Sequence, residues 1–228
     1  MRRVKILVEG QTEEAFVNGL FFDYFLKRNI LITPILLTTK RVKNRNVREK
    51  ATFGRLFKGG VSTYGKVKRD VLKVLGDKQA VVTTMIDYYG LPGDFPGMDS
   101  LPRDNGYKIV RHLEKEFRDD IGTPRFRPFL ALHEYEALLF SQPEKIAEAF
   151  PEQDVRKDLQ AIRNKFSSPE EINQGQETHP SARIMKHIPS YRKPVHGLLI
   201  AKKIGLAIMR RECVHFDEWL AWLESLAD

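Results

Sequence analysis

The segment KILVEGQTEE, residues 5–14, places an acidic residue directly after a short apolar run. Residues 6–8 have the character of a buried strand, and Gly10 marks the turn that ends it. The residues that follow change to helical spacing, with Thr12 as the predicted N-cap and two glutamates in the first turn. A strand, a tight turn and a helix form the first half of a βαβ unit, so this segment predicts an α/β fold.

Later apolar runs predict two more buried strands, at residues 30–39 and 80–87, and a shorter strand at 127–132 that leads into a helix near His133. Pro34 interrupts or bends the first of these runs. Strands that alternate with helical patterns are typical of a mostly parallel sheet flanked by helices.

The second half of the chain reads as helical. Amphipathic spacing predicts helix over residues 143–165, a polar surface loop over 167–181 and two helices at the C-terminus. We therefore predict an α/β core over residues 1–142 and a helical C-terminal part, residues 143–228, that packs on the same core.

The single cysteine, Cys213, excludes a disulfide framework within the chain and is typical of a reducing compartment. No Cys/His cluster has the spacing of a structural zinc site. The apolar run at the N-terminus is too short for a signal peptide, and no segment approaches the roughly 20 apolar residues of a spanning helix. We expect a cytoplasmic protein with no membrane partner.

Lysine and arginine outnumber aspartate and glutamate by 38 to 30, which gives a formal net charge of +8. Such a surplus favours a polyanionic partner, because lysine and arginine neutralise phosphates. A dense basic run lies within residues 40–60, and Phe53 and Phe57 in it could stack on bases. A plain solvated loop is an equally good interpretation. The residues predicted to contact nucleic acid here are Lys40, Arg41, Lys43, Arg45 and Arg48.

Two of the predicted strands end in a carboxylate: Glu9 follows the first strand, and Asp87 ends the strand at 80–87. Because the carboxyl ends of parallel strands meet at one edge of an open α/β sheet, both side chains are expected at that edge. Carboxylates gathered there repel each other, and a divalent cation such as Mg²⁺ relieves that repulsion. Either residue alone could equally be a turn or capping acid, so the metal prediction rests on the pair.

The segment HEYEALLF, residues 133–140, provides a third acidic cluster. It is not a zinc-protease motif, because Ala137 stands where that motif needs its second histidine. Glu134 or Glu136 could complete the acidic pocket, and the apolar run that follows predicts that Glu136 points out from a packed helix. A structural ion pair is the alternative. Its arginine would be one such as Arg125 or Arg127.

Several segments together resemble one bacterial domain family over nearly the whole chain: EGQTEEAF, MIDYYGLPGDFPG, HEYEALLFS, SPEEIN and a K-x-x-G-like stretch near the C-terminus. That family is similar to the Toprim-like RloB proteins found near restriction systems, and to OLD-type nucleases. The resemblance implies a Toprim-like (Rossmann-like) nuclease core that holds Mg²⁺ or Mn²⁺. It also implies a partnership with an AAA- or ABC-type ATPase in defence against phage. The acids that match its motifs are Glu9, Glu13, Asp87 and Glu136.

The chain departs from the nuclease pattern at one position. The second aspartate of the Asp-x-Asp strand end would lie at residue 89, where this sequence has Tyr89. Asp94, in the loop that follows, is a possible substitute ligand. The departure keeps a second hypothesis open, in which the chain is a catalytically inactive subunit that binds nucleic acid or an ATPase.

A basic residue near the acids could neutralise the leaving oxygen of a cleaved phosphodiester. Lys193, Lys202 and Arg183 are the candidates, with plain surface charge as the alternative for each. Lys193 is also predicted to contact nucleic acid. His133 is a candidate general base, although a structural histidine is the stronger interpretation. The sequence thus predicts a metal-dependent nuclease acting on DNA or RNA, and leaves a homodimer open.

Overall fold

The computed structural model describes residues 1–38, 63–172 and 178–227. Its centre is a five-stranded sheet in which all described strand pairs are parallel. The strands are β1 (Arg2–Val8), β2 (Ile30–Leu36), β3 (Ala80–Asp87), β4 (Phe126–Arg127) and β5 (Leu130–Ala131). The order is β2-β1-β3-β4, and β5 also pairs with β3. The predicted α/β class, with a mostly parallel sheet and C-terminal helices, is confirmed.

Helices cover both faces of this sheet and make up the C-terminal part. Their bounds are α1 (Gln11–Phe16), α2 (Phe22–Leu26), α3 (Tyr64–Leu75), α4 (Gly106–Ile121), α5 (Pro143–Ala147), α6 (Arg156–Arg163), α7 (Pro180–His187), α8 (Lys193–Ile204), α9 (Leu206–Glu212) and α10 (Val214–Glu224). A π-helical turn, Val17–Phe21, joins α1 to α2. None of the described helices is long and apolar enough to cross a membrane.

Alternate residues of the central strands divide the core in two. Val4, Ile6 and Val8 of β1 pack with the N-terminal and C-terminal helices, whereas Leu7 faces the cluster built on α3 and α4. Because successive side chains of a strand point to opposite faces of the sheet, one strand contributes to both parts of the core. A buried hydrogen bond fastens the C-terminal helices to the sheet: Nε1 of Trp219 in α10 donates to Oγ1 of Thr83 in β3 at 3.0 Å.

Proline and glycine account for several boundaries. Pro34 lies in β2, which is an edge strand and therefore tolerates the missing N–H. The strand predicted at 127–132 is in fact two short strands, with Pro128 between them. The C-terminus has three helices where two were predicted, because Gly205 adopts a left-handed φ of 79° between α8 and α9.

Three helix predictions were wrong in detail. Helix α1 begins at Gln11 with Gly10 as N-cap, two residues before the predicted Thr12 cap. The stretch 143–165 forms two separate helices, α5 and α6, and α7 begins inside the predicted loop 167–181, with Pro180 as its first residue. The helix expected near His133 is a 3₁₀ helix, Tyr135–Ser141, all of whose side chains are buried.

Arg125 anchors the start of β3 and offers a test of the fold. Its guanidinium donates to the backbone carbonyls of Asp77, Ala80 and Leu75 at 3.0, 3.2 and 3.1 Å. We expect Arg125→Ala to lower the free energy of unfolding by about 2 kcal/mol, because three carbonyls lose a charged donor. Urea titration measures this change.

The matched control is Arg69→Ala, since Arg69 is exposed on α3. It should change the free energy of unfolding by less than about 0.5 kcal/mol. Equal effects of the two substitutions would contradict the anchoring role of Arg125.

Candidate functional site

The acidic ends of β1 and β3 meet, as the sequence predicted. The two strands are parallel neighbours, with Val8 opposite Met85, so the turn after β1 lies beside the end of β3. The backbone N–H of Asp87 donates to Oε1 of Glu9 at 3.0 Å. Asp87 is buried, with 9% of its surface exposed. The pair therefore lies together at the carboxyl edge of the sheet, and we refer to it with the neighbouring Glu13, Glu134, Glu136 and Lys193 as the recess.

Two glycines lie against the carboxylates of the recess. A Cβ placed on Gly90 would lie 3.5 and 3.6 Å from the two carboxylate oxygens of Glu9. A Cβ placed on Gly10 would lie 3.2 Å from Oε2 of Glu13, which is tight. Glu13 comes from the first turn of α1, so the turn after β1 brings a third carboxylate to the recess.

Burial and mutual repulsion oppose ionisation of these three acids. Burial and, next, the charge of Glu13 raise the pKa of Glu9, while the Asp87 N–H and Lys193 lower it by less, so that its pKa is about 8. Burial and the charge of Glu9 raise the pKa of Asp87 well above its ordinary value. Burial also raises the pKa of Glu13. Among the described residues, the ion pairs at this recess are made by Glu134 and Glu136, and not by these three acids.

Lys193 connects the recess to the third acidic segment. This lysine is the first residue of α8, and its Nζ lies 3.3 Å from Oε2 of Glu134 and 3.0 Å from Oε2 of Glu136. Glu136 is 1% exposed, so the prediction that it points out from a packed helix was wrong. Its cation partner is Lys193, whereas Arg125 binds backbone carbonyls.

Glu134 is held as an anion by Lys193 and by two donors of Ser181, with His179 close by. Nδ1 of His179 lies 2.8 Å from Oε1, Oγ of Ser181 donates to Oε1 at 3.1 Å, and the Ser181 N–H donates to Oε2 at 3.0 Å. Burial alone would raise its pKa, but these hydrogen bonds and the charge of Lys193 lower it to about 2. Glu136 has one cation and no hydrogen-bond donor at its buried Oε1, and burial raises its pKa to about 8. The two neighbouring carboxylates therefore have opposite protonation preferences.

Three buried polar atoms beside Lys193 have no hydrogen-bond partner among the described residues: the hydroxyls of Tyr135 and Tyr191, and Oε1 of Glu136. A Cβ on Gly197 of α8 would meet both hydroxyl oxygens at 3.4 Å. Unsatisfied groups of this kind are costly to bury unless water or a ligand reaches them. The buried part of the recess therefore contains polar atoms as well as apolar ones.

Tyr89 stands where the sequence pattern led us to expect a second aspartate. Its ring is 47% exposed and lies nearly parallel to the ring of His179, at 9° and 6.4 Å between centroids. Burial and the charge of Asp87 raise the pKa of Tyr89. Tyr89 therefore presents a neutral aromatic face at the rim of the recess, next to Asp87.

The other predicted site residues lie in different surroundings. Oδ1 of Asp94 accepts from the backbone N–H of Tyr64 at the start of α3. Lys202 is exposed on α8, Nε of Arg183 donates to the carbonyl of Thr178, and His133 is half-buried beside Glu134. The basic run lies outside the described residues. It comprises Lys40, Arg41, Lys43, Arg45 and Arg48.

Sequence reasoning missed four residues of the site. His179 and Ser181 fall in the segment predicted as a surface loop, Tyr135 lies in the HEYEALLF segment without having been singled out, and Tyr191 lies two residues before Lys193. The His-Pro-Ser order at 179–181 was the available signal, because Pro180 at the first helical position indicates that a helix begins there.

The described residues contain no group of three His, Cys, Asp or Glu side chains already arranged to hold a metal ion. The chemistry of the donors nevertheless suits Mg²⁺ or Mn²⁺. Mg²⁺ is commonly bound by one or two carboxylates, several waters and a substrate phosphate, and not by a cage of protein ligands. Glu9 and Asp87 are the residues best placed to supply those two carboxylates, with Glu13 alongside.

Comparison with known proteins adds a family assignment. The model of the family described as a domain of unknown function, DUF4276, matches residues 8–224. The chain belongs to the DUF4276 family. No curated protein and no solved structure shows significant similarity to it. The DUF4276 match includes every described residue of the recess, from Glu9 to Gly197.

Glu9 gives the site a distinctive dependence of stability on pH. Because its pKa is about 8 in the folded protein and 4.5 ordinarily, folding favours its protonated form. The contribution of Glu9 to stability is therefore largest below pH 4.5. This contribution is lost as the pH rises from 4.5 through 8. With a chelator present, Glu9→Gln should remove this loss and exceed the wild type in unfolding free energy near pH 8 by about 4 kcal/mol, since one pKa unit corresponds to about 1.4 kcal/mol. Urea titrations across this pH range measure the difference.

Glu14→Gln is the matched control, since it removes a half-buried carboxylate only five residues from Glu9, in the first turn of α1. Its profile should follow the wild type. A wild type that gains stability relative to Glu9→Gln above pH 7 would show that the buried Glu9 carboxylate is stabilised by a partner.

Proposed function

We propose that this chain hydrolyses phosphodiester bonds in DNA or RNA with the help of Mg²⁺ or Mn²⁺. The observation that carries the proposal is the electrostatic state of the recess. Glu9, Glu13 and Asp87 are gathered at one edge of the sheet with raised pKa values, and none of them makes an ion pair with the described residues. A divalent cation would offset the cost of burying these charges.

The cation would be held by Glu9 and Asp87. When bound, it would lower the pKa of a coordinated water and neutralise charge on the scissile phosphate. Glu13 is suited to accept a proton from that water, because its raised pKa is closer to neutrality. Lys193 is suited to stabilise negative charge that develops on the phosphate or leaving oxygen, since its ammonium is fixed by two carboxylates.

The surroundings of the recess fit a nucleic-acid substrate. Tyr89 offers an exposed aromatic face that a base could stack on. The net charge of +8, and the basic run that begins at Lys40, favour a phosphate-rich partner. We further propose that the fold is Toprim-like and related to the RloB and OLD-type proteins. On that relation rest an ATPase partner and a role in phage defence.

One observation favours a second function, a binding module without catalysis. Tyr89 occupies the position at which Toprim-like nucleases have their second aspartate, and Lys193 already supplies an internal cation to Glu134 and Glu136. In this case the acidic recess would be a structural remnant. The chain would recognise nucleic acid or an ATPase through its basic surface.

Cleavage of plasmid DNA and of RNA by the pure protein tests the first proposal. We expect cleavage with Mn²⁺ or Mg²⁺ and none with a chelator. Glu9→Gln should lower the rate at least about 100-fold, because it removes a charged ligand while its amide oxygen still accepts from the Asp87 N–H. Gel analysis of the products under single-turnover conditions measures the rates.

Glu14→Gln should keep the rate within about threefold of the wild type, since it removes the same charge five residues away, from the first turn of α1 and not from the end of β1. Calorimetric titration with Mn²⁺ gives an independent readout, in which Glu9→Gln and Asp87→Asn should each weaken binding. Absence of cleavage with every divalent ion, alone and with an ATPase partner, together with salt-sensitive nucleic-acid binding by the Glu9→Gln/Asp87→Asn double variant, would establish the second function instead.

A further inference from the structure

A cleft on a different part of the molecule has the chemistry of a second ligand site. It has a volume of about 620 Å³ and lies between α4 and α10 at the β4 edge of the sheet. This volume is within the range of protein sites that bind small ligands or polymer segments, about 300–1,000 Å³. Its side chains are a mixture of arginine, lysine and aromatic residues with two glutamates.

The two glutamates of the cleft are already engaged. Oε1 of Glu114 accepts from the backbone N–H of Leu130 at 2.7 Å and lies 2.9 Å from Nε2 of His215. Oε1 of Glu218 accepts from Arg111 at 2.6 Å. Each of these carboxylates therefore already has a close partner, and neither lies within 4.0 Å of the Arg127 guanidinium.

Arg127 is the cation of the cleft that lacks such a partner among the described residues. It is half-buried, and its guanidinium carbon lies 5.1 Å from the centre of the Trp222 ring. In the parts of the chain that the structure describes, the side chain of Arg127 makes neither a hydrogen bond nor an ion pair within 4.0 Å, although Glu114 and Glu218 attract it from farther away. A partly desolvated guanidinium without an acceptor is well placed to bind an anion with two oxygens.

Aromatic rings supply a rigid wall to the cleft. Phe129 stacks on Trp219 at 4.3 Å and 6°, and on His215 at 5.1 Å and 24°. Trp222 is only partly buried, so part of its ring is available to a ligand. Guanidinium groups next to accessible indole rings are the combination by which proteins hold single-stranded nucleic acid, through phosphate contacts and base stacking. An acidic peptide could pair with the arginines, but its carboxylates would not stack on the indole ring of Trp222.

The position of the cleft relates it to the acidic recess. Arg127 pairs with Thr83 of β3, and Asp87 lies four residues farther along the same strand. At about 3.3 Å per strand residue, the two sites are about 13 Å apart along the sheet.

We propose that this cleft binds the backbone of a nucleic-acid strand, with Arg127 on a phosphate and Trp222 stacked on a base. The proposal rests on the proposed function only in that the partner is nucleic acid.

Salt-dependent binding of a fluorescein-labelled single-stranded oligonucleotide tests this assignment. Anisotropy is measured in a chelator, so that no cleavage interferes, from about 50 to 300 mM salt. Arg127→Gln should weaken binding about tenfold at the lowest salt. It should also reduce the slope of log K against log salt by about 0.7, the value expected for one phosphate on a single strand. Arg118→Gln, on the exposed side of the cleft, should produce a smaller change in the same direction.

Trp222 provides a test that does not involve charge. Trp222→Ala should weaken binding about tenfold with an unchanged salt slope, because the substitution removes stacking and leaves phosphate neutralisation intact. Trp222→Phe should restore most of the affinity. Thermal melting of each variant verifies that the fold is retained, and the exposed Arg118 variant gives a result even if Arg127→Gln does not fold.

Arg156→Gln is the control for net charge, since Arg156 is exposed on α6 and outside the cleft. Binding by this variant should stay within about twofold of the wild type. Arg127→Gln and Arg118→Gln curves that coincide with that of Arg156→Gln would overturn the proposal. A poly-glutamate peptide that binds the wild type and not Arg127→Gln, with oligonucleotide binding unchanged, would overturn it in favour of a protein partner.

The two proposals fail in different ways. Cleavage that depends on Glu9, combined with binding that is indifferent to Arg127 and Trp222, removes the cleft and leaves the nuclease. Binding that depends on Arg127 and Trp222, with no cleavage under any condition, removes the nuclease and leaves the cleft.

Discussion

The hydrogen bond from the backbone N–H of Asp87 to the carboxylate of Glu9 joins the fold to the candidate site. It forms because β1 and β3 are parallel neighbours, so that both strands end at the same edge of the sheet. This hydrogen bond also holds the Glu9 carboxylate beside that of Asp87, where burial and mutual repulsion raise the pKa of both groups. Of the other charged residues in the recess, Glu13 adds to this negative charge and Lys193 compensates for it nearby.

Compensation is uneven across the recess. Glu134 has donors for both of its oxygens, and Glu136 shares the lysine, whereas the three acids at the strand ends have no ion pair among the described residues. A site designed only for stability would be expected to distribute its cations more evenly, because unpaired buried charge is among the most destabilising features of a protein. The imbalance is the physical reason why Glu9, Glu13 and Asp87, and not Glu134, are the acids proposed to meet a cation.

Sequence periodicity predicted the parts of the molecule that depend on local order. The strands β1 and β3 are short apolar runs that end in acids, and parallel pairing then brings Glu9 to Asp87 without further information. Residues of the site that approach from distant segments could not be placed in this way. Glu136 was assigned the wrong direction because the apolar run after it was interpreted as the packed side of a helix with an outer side left free, whereas Tyr135–Ser141 is a 3₁₀ helix buried on all sides. Lys193 was a candidate among several, and only tertiary packing distinguishes it from Lys202.

The way α8 docks has a consequence for how the protein is made. A Cβ on Gly19 would lie 2.5 Å from Cδ1 of Leu198, so α8 settles directly against the backbone of the π-helical turn near the N-terminus. The lysine that balances Glu134 and Glu136 thus arrives on a segment that is synthesised roughly 180 residues after the first acid. Until that segment has left the ribosome, the nascent chain carries its acidic cluster without the internal counter-charge, and the recess cannot take its final form.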